Sequence, residues 1–202
     1  ANTVAARANQ TVRAFTDGAS LLGSANDVAV SASGRTTAKA DVQKGSSGAL
    51  IGVGLVVAKA DASGTFDAFV TGGHTDARKL TVGTDYDADA TAASSQPSGG
   101  VNLALASVKT NIATAKVTTT ARAGLGRFGE GGVTGTGTIT VSGGINVTAD
   151  GKAKAVANID GVTFSAAVAN IGVNVTNASL EAKQEAYAGG DFITAGSLTV
   201  LS

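Results

Sequence analysis

The sequence predicts an all-β chain wound as a parallel β-solenoid, in which the strands of each turn stack on their counterparts in the next. Three observations predict it. The first is a repeat of about 59 residues with the same closing beat in every copy: Asp27 to Val30, Lys79 to Val82, Thr138 to Val141 and Ser197 to Val200. The closing valines lie 52, 59 and 59 residues apart. A fixed period marks a repeat architecture, in which each unit buries its apolar side only against its neighbours. The second is composition: 28 Gly, 39 Ala and 22 Val, but only 4% aromatic residues and one proline, Pro97. Gly, Thr and Val at this density weaken helices and suit extended chain. The third is alternation with a period of two, as in Lys152-Ala-Lys-Ala, which sends one set of side chains inward and the other outward.

The closing valines divide the chain into a partial unit (1–30) and three fuller ones (31–82, 83–141, 142–202) within one continuous domain. Each fuller unit reads in parts. A polar alternating stretch comes first, as in Arg35 to Val42 or Ile145 to Val156. A nearly continuous apolar run is the next feature: Ala49 to Ala62, Val101 to Val117, Phe164 to Ala178. A glycine hinge then precedes the closing strand: Thr71-Gly-Gly, Glu130-Gly-Gly, Ala188-Gly-Gly. Strands of 5–8 residues between Gly-rich corners predict coils of about 20 residues, three to a repeat. At a spacing of about 4.8 Å, roughly ten such coils would make a rod of about 48 Å. The core is then narrow, lined by Ala, Val, Leu and Ile. Asn177 to Tyr187 is the best helix candidate, but no sustained helical stripe or pair of end signals supports it.

Charge excludes some classes of function. Fifteen basic and fifteen acidic residues balance to zero and lie singly along the chain, so no basic patch awaits a nucleic acid. No apolar run approaches the ~20 residues of a membrane span, and no signal peptide is visible. Cysteine is absent, which removes disulfides and thiolate chemistry and is compatible with export. The first residue is Ala rather than Met, as in a processed chain or a piece of a longer one.

The last unit carries a resemblance. Ala167-Val-Ala-Asn-Ile-Gly-Val-Asn-Val, then Glu185-Ala-Tyr-Ala-Gly-Gly, then Phe192-Ile-Thr-Ala-Gly-Ser-Leu-Thr-Val resemble the repeats of large exported bacterial proteins. These are the filamentous haemagglutinin-like and leukotoxin-type filamentous adhesins. Ile51-Gly-Val-Gly-Leu-Val-Val-Ala and Phe69-Val-Thr-Gly-Gly match more loosely. The resemblance implies a right-handed parallel β-helix, secreted or attached to the cell surface, and it implies no catalytic residue.

Each chemical motif has a plainer reading. Gly124-Leu-Gly-Arg-Phe-Gly129 fits the dinucleotide fingerprint, but that motif must open a helix, and Glu130-Gly-Gly-Val-Thr-Gly cannot form one. It reads as a wide corner. Asp85, Asp87 and Asp89 suggest a weak cation site, since carboxylates suit calcium. The glycine and glutamate of an EF-hand loop do not follow, and alternation sets the three carboxylates outward with Tyr86, Ala88 and Ala90 inward. His74, the single histidine, falls in a glycine hinge with no nucleophile motif nearby and reads as an exposed corner residue. Asn102, Asn146 and Asn174 sit between apolar residues and predict hydrogen-bonded ladders along the stack. Thr118 to Thr120 and Thr134, Thr136, Thr138 and Thr140 are locally dense, without the strict repeat of an ice-binding face.

The expected function is structural: a stalk or filament segment of an extracellular bacterial adhesin, not an enzyme, that calls for no metal or cofactor. A carbohydrate-active enzyme on this fold needs paired carboxylates, and three glutamates among scattered single charges do not supply them. Both ends read as bare strand. The expected partners are therefore neighbouring repeats or further copies of the chain, stacked end to end through strand edges. Outward Asn, Thr and Asp offer hydrogen bonds to surface glycans. The alternative is a filament subunit that polymerises through those same edges.

Overall fold

A computed structural model describes residues 1–16, 21–23, 26–43, 51–71, 74–95, 102–103, 106–129, 132–134, 137–160, 165–166, 169–189 and 192–202. The chain is a parallel β-solenoid, and no helix occurs among the described residues. The first turn holds β1 (Asn2–Thr16), β2 (Leu21–Gly23) and β3 (Asp27–Gln43). The second holds β4 (Ile51–Val70), β5 (His74–Ala77) and β6 (Lys79–Ser95). The third holds β7 (Asn102–Leu103), β8 (Ala106–Leu125), β9 (Arg127–Gly129), β10 (Gly132–Thr134), β11 (Thr138–Ala149) and β12 (Lys152–Asp160). The fourth holds β13 (Ser165–Ala166), β14 (Ala169–Ala188) and β15 (Phe192–Leu201).

Two long faces make up each turn. The first is a four-stranded parallel sheet in the order β1-β4-β8-β14. The second joins β2, β3, β5, β6, β11, β12 and β15, with β11 and β12 together covering the length of β5 and β6. The turn is longer than the sequence suggested. Paired residues lie 52 apart in β3 and β6 (Val30 with Val82), 55 apart in β4 and β8, and 63 apart in β8 and β14. One repeat of about 59 residues is therefore one turn, and about 20 residues is the length of a single face strand. Four levels at ~4.8 Å stack to only about 14 Å between outer strands, each up to roughly 65 Å long. The slab is wide and short where a slender rod of ten coils was expected.

The unequal offsets have a local cause. Between β8 and β11 the chain makes an excursion, the antiparallel pair β9 and β10, with Gly132 opposite Gly129. Offsets on the second face jump to 64 (His74 with Thr138), and to 65 past an irregularity between Val141 and Gly144. The third copy of the closing beat is consequently Gly144 to Val147, stacked on Lys79 to Val82, and not Thr138 to Val141, which stacks on His74 to Ala77. The unit boundaries drawn at Val30, Val82 and Val141 run through the middle of the second face. Asn177 to Tyr187 is strand throughout, within β14.

Alternation carries the packing. From Val56 to Val70 and from Leu80 to Ser94 every second side chain is buried between the faces. The inward columns are dominated by alanine, as in Ala6–Ala60–Ala115–Ala178 and Ala38–Ala90–Ala155. Methyl groups on both sides bring the sheets close together. One aromatic pair interrupts them: Phe66 and Tyr86, from opposite faces, stack with ring centroids 5.4 Å apart. Tyr86 lies over Gly151 of the next turn, where an added Cβ would meet its ring at 2.1 Å. At the corner Gly126 adopts φ 89°, a left-handed conformation that suits glycine, while its N–H continues the ladder by donating to the Val70 carbonyl (2.8 Å).

Candidate interaction surfaces

The outward columns carry the chemistry of this molecule. Register places Arg13, Asp67, Arg122 and Glu185 one above another across four levels, with charges of alternating sign. Arg13 Nε donates to Asp67 Oδ2 at 3.1 Å. Arg122 donates through Nε to Oδ1 at 2.8 Å and through Nη2 to Oδ2 at 3.0 Å. Asp67 is buried between the two guanidinium groups although it points away from the core. Its hydrogen bond holds the Arg122 guanidinium above its ordinary pKa, against the opposing effect of burial, and the charges of Asp67, Tyr187 and Glu185 act in the same direction. The sequence reading missed this ladder. The signal was present, since the members recur at 54, 55 and 63 residues, but it appears only when the turn-length register is applied.

The acidic triplet sits on β6 as expected, with Tyr86, Ala88 and Ala90 buried beneath it. It is part of a charge pattern. Arg35 Nη2 lies 2.9 Å from Asp87, Thr91 donates to Asp89 at 3.0 Å, and Lys152 and Lys154 pair in register with Asp87 and Asp89. Among the described residues no group of three or more His, Asp or Glu side chains could hold a metal ion. Thr118 and Thr120 face outward with Thr119 buried between them, so the three do not form one surface row. The backbone of His74 pairs within the second face, with Leu21 and Thr138, and begins a strand where a corner was expected. Gly126 turns the corner predicted for the Gly124-Leu-Gly-Arg-Phe-Gly129 stretch.

The asparagine ladder differs from the expected one. Asn174 pairs with Asn111, whose Nδ2 donates to Asn174 Oδ1 at 2.8 Å on the inner side of the first face. Asn146 lies on the second face between Thr81 and Thr199, and the backbone of Asn102 pairs with Ser165.

A flat aliphatic array covers one end of the first face. Register aligns Val53, Val108 and Ile171; Leu55, Thr110 and Val173; and Val57, Ile112 and Val175, all directed outward. Val53 is 82% exposed. With rows ~4.8 Å apart and columns ~6.8 Å apart, the nine positions span about 300 Å², the size at which exposed apolar patches begin to mark contact sites.

Compared with known protein families, with curated proteins and with solved structures, the chain matches none. Among the described residues no helix is long and apolar enough to cross a membrane.

Proposed function

We propose that this chain is a load-bearing structural segment of an extracellular bacterial adhesin, a stack of wide β-turns that extends by adding levels. The observation that carries this reading is the unbroken register of the first face. Twenty consecutive residues of β4 pair with β8, and the same twenty of β8 pair with β14, so backbone hydrogen bonds run up the stack along its whole width. Ladders such as Arg13–Asp67–Arg122–Glu185 tie the levels together on the outside. The resemblance to filamentous adhesin repeats supports the extracellular setting. The aliphatic array supplies a surface suited to adhesive contact, and the outward Asn and Thr side chains suit glycans. The test is electron microscopy of the purified chain, with limited proteolysis in parallel. Discrete protease-resistant slabs, four levels deep, support the segment reading; compact round particles or rapid cleavage within β4 or β8 overturn it.

A second reading, a filament subunit, has its own support. A copy whose β1 continues the register on β14 would set Arg13 beside Glu185, Asn2 beside Asn174 and Phe15 beside Tyr187. Each contact extends a column already present. Fibres that lengthen with protein concentration would favour this reading over the first.

A further inference from the structure

The outward side of the first face is banded along its length. At one end β4 and β8 carry aliphatic residues, with Val53, Leu55 and Val57 beside Val108, Thr110 and Ile112. Asp61 beside Lys116 follows and, six residues on, Asp67 beside Arg122. Val108 has a strand on both sides, with Val53 on β4 and Ile171 on β14, and is still 42% exposed. That exposure belongs to the face itself, whatever the number of levels above or below. Burying the aliphatic band calls for a flat partner whose own apolar band lies in the same place.

A second copy of the same face is such a partner, and charge decides how it sits. Sheets that pack face to face keep their strands roughly aligned, which leaves a two-fold axis along the strands or along the stack. An axis along the stack, centred on the face, sets Asp61 on Asp61, Lys116 on Lys116 and Leu55 against the Asp67 ladder. An axis along the strands, between β4 and β8, exchanges the two strands instead. Val53 then meets Val108 of the second copy, Val57 meets Ile112, Asp61 meets Lys116 and Asp67 lies over Arg122. No like charges meet across these two strands, and apolar falls on apolar. Area points the same way. The aliphatic array alone, at about 300 Å², falls short of the ~800 Å² that each partner buries in a stable interface. One level of twenty residues presents about 320 Å², so three aligned levels exceed that area.

We propose that the outward first face is a lateral docking surface for a second copy of this chain, related by a two-fold axis parallel to the strands between β4 and β8. The aliphatic array forms the apolar part of the contact, and Asp61 and Lys116, both partly exposed, set its orientation. Such pairing joins stacks flank to flank. It holds for a segment of a longer protein and for a filament subunit alike, and it does not depend on the adhesin reading.

The test is sedimentation velocity of the full chain over a concentration series, with charge-exchange variants. The unmodified chain should pass reversibly from monomer to dimer, and Val108→Lys should weaken the dimer by about tenfold or more. Asp61→Lys and Lys116→Asp each set like charges across the contact, so neither should dimerise well alone. Mixed together they should pair, because one then presents two positive groups and the other two negative ones. The double variant Asp61→Lys/Lys116→Asp should dimerise like the unmodified chain. A monomer at every concentration up to about 1 mM overturns the proposal. Association that survives both Val108→Lys and Asp61→Lys also overturns it, by assigning the contact to another surface. A mixture that pairs no better than its components overturns the axis, and the proposal with it. If Val108→Lys fails to fold, the charge exchange still decides the question.

Discussion

Asp67 and Arg122, 55 residues apart in sequence, face each other one level apart, with Nε 2.8 Å from Oδ1. The carboxylate is buried by the two arginines that flank it, so its removal takes two hydrogen bonds from a partly buried guanidinium. Asp67→Ala is expected to cost about 2 kcal/mol in urea denaturation, after allowance for the partial exposure of both arginines. Asp87→Ala, whose partner Arg35 is well exposed, should cost about 0–1 kcal/mol.

That difference should also hold across pH. Arg122 has a raised folded pKa, so its contribution is complete below the unfolded value and is lost only as pH rises through the folded one, in strong alkali. The gap between the wild-type chain and Asp67→Asn should be the same at about pH 7 and about pH 9, as measured by urea midpoints. A gap that closes by pH 9 would mean that another group carries the pairing.

Gly124 is occupied space. A Cβ there would meet the Tyr187 ring from the next level at 2.1 Å, in the outward column that also holds the stacked pair Phe15 and Phe69. Gly124→Ala should destabilise by about 1–3 kcal/mol. Adding Tyr187→Ala should recover part of that loss, giving a clear coupling in a double-mutant cycle.

The alanine core predicts an inverted size rule. Ala90 is fully buried in a column of alanines, so Ala90→Leu must push the sheets apart and should cost about 3 kcal/mol or more. Phe66→Ala removes the largest partner of Tyr86 and should cost about 3–5 kcal/mol. Thermal melts of the two variants test both ends of the rule.

Asn111 and Asn174 should behave as a unit. Asn174→Ala leaves a buried amide on Asn111 without its acceptor and should cost about 1–3 kcal/mol. Asn111→Val combined with Asn174→Val should be close to neutral by the same measurement.

Fold class was legible because the period, the glycine corners and the two-residue alternation all point to one architecture. The length of the turn was not. The mean spacing of closing valines conceals a nine-residue excursion through β9 and β10, and Thr138 to Val141 imitates the beat that belongs to Gly144 to Val147. Strands of 5–8 residues between Gly-rich corners were expected, but Gly52, Gly54 and Gly64 all lie within the twenty-residue β4, where glycine extends as readily as it turns. The surfaces were legible one residue at a time. Asp85, Asp87 and Asp89 were placed on the correct side of the strand, but their basic neighbours come from other turns. Only the register shows that Asp67 and Arg122 meet.

The width of the turn sets the height that chain length can reach. Each level consumes about 59 residues for ~4.8 Å, roughly 0.08 Å per residue, about forty times less than an extended strand. A tower 100 Å tall therefore requires on the order of 1,200 residues of this kind. In exchange, every level is bonded to the next along some twenty residues, so a fault at one column leaves many parallel connections intact. Proteins built this way gain breadth and redundancy ahead of reach.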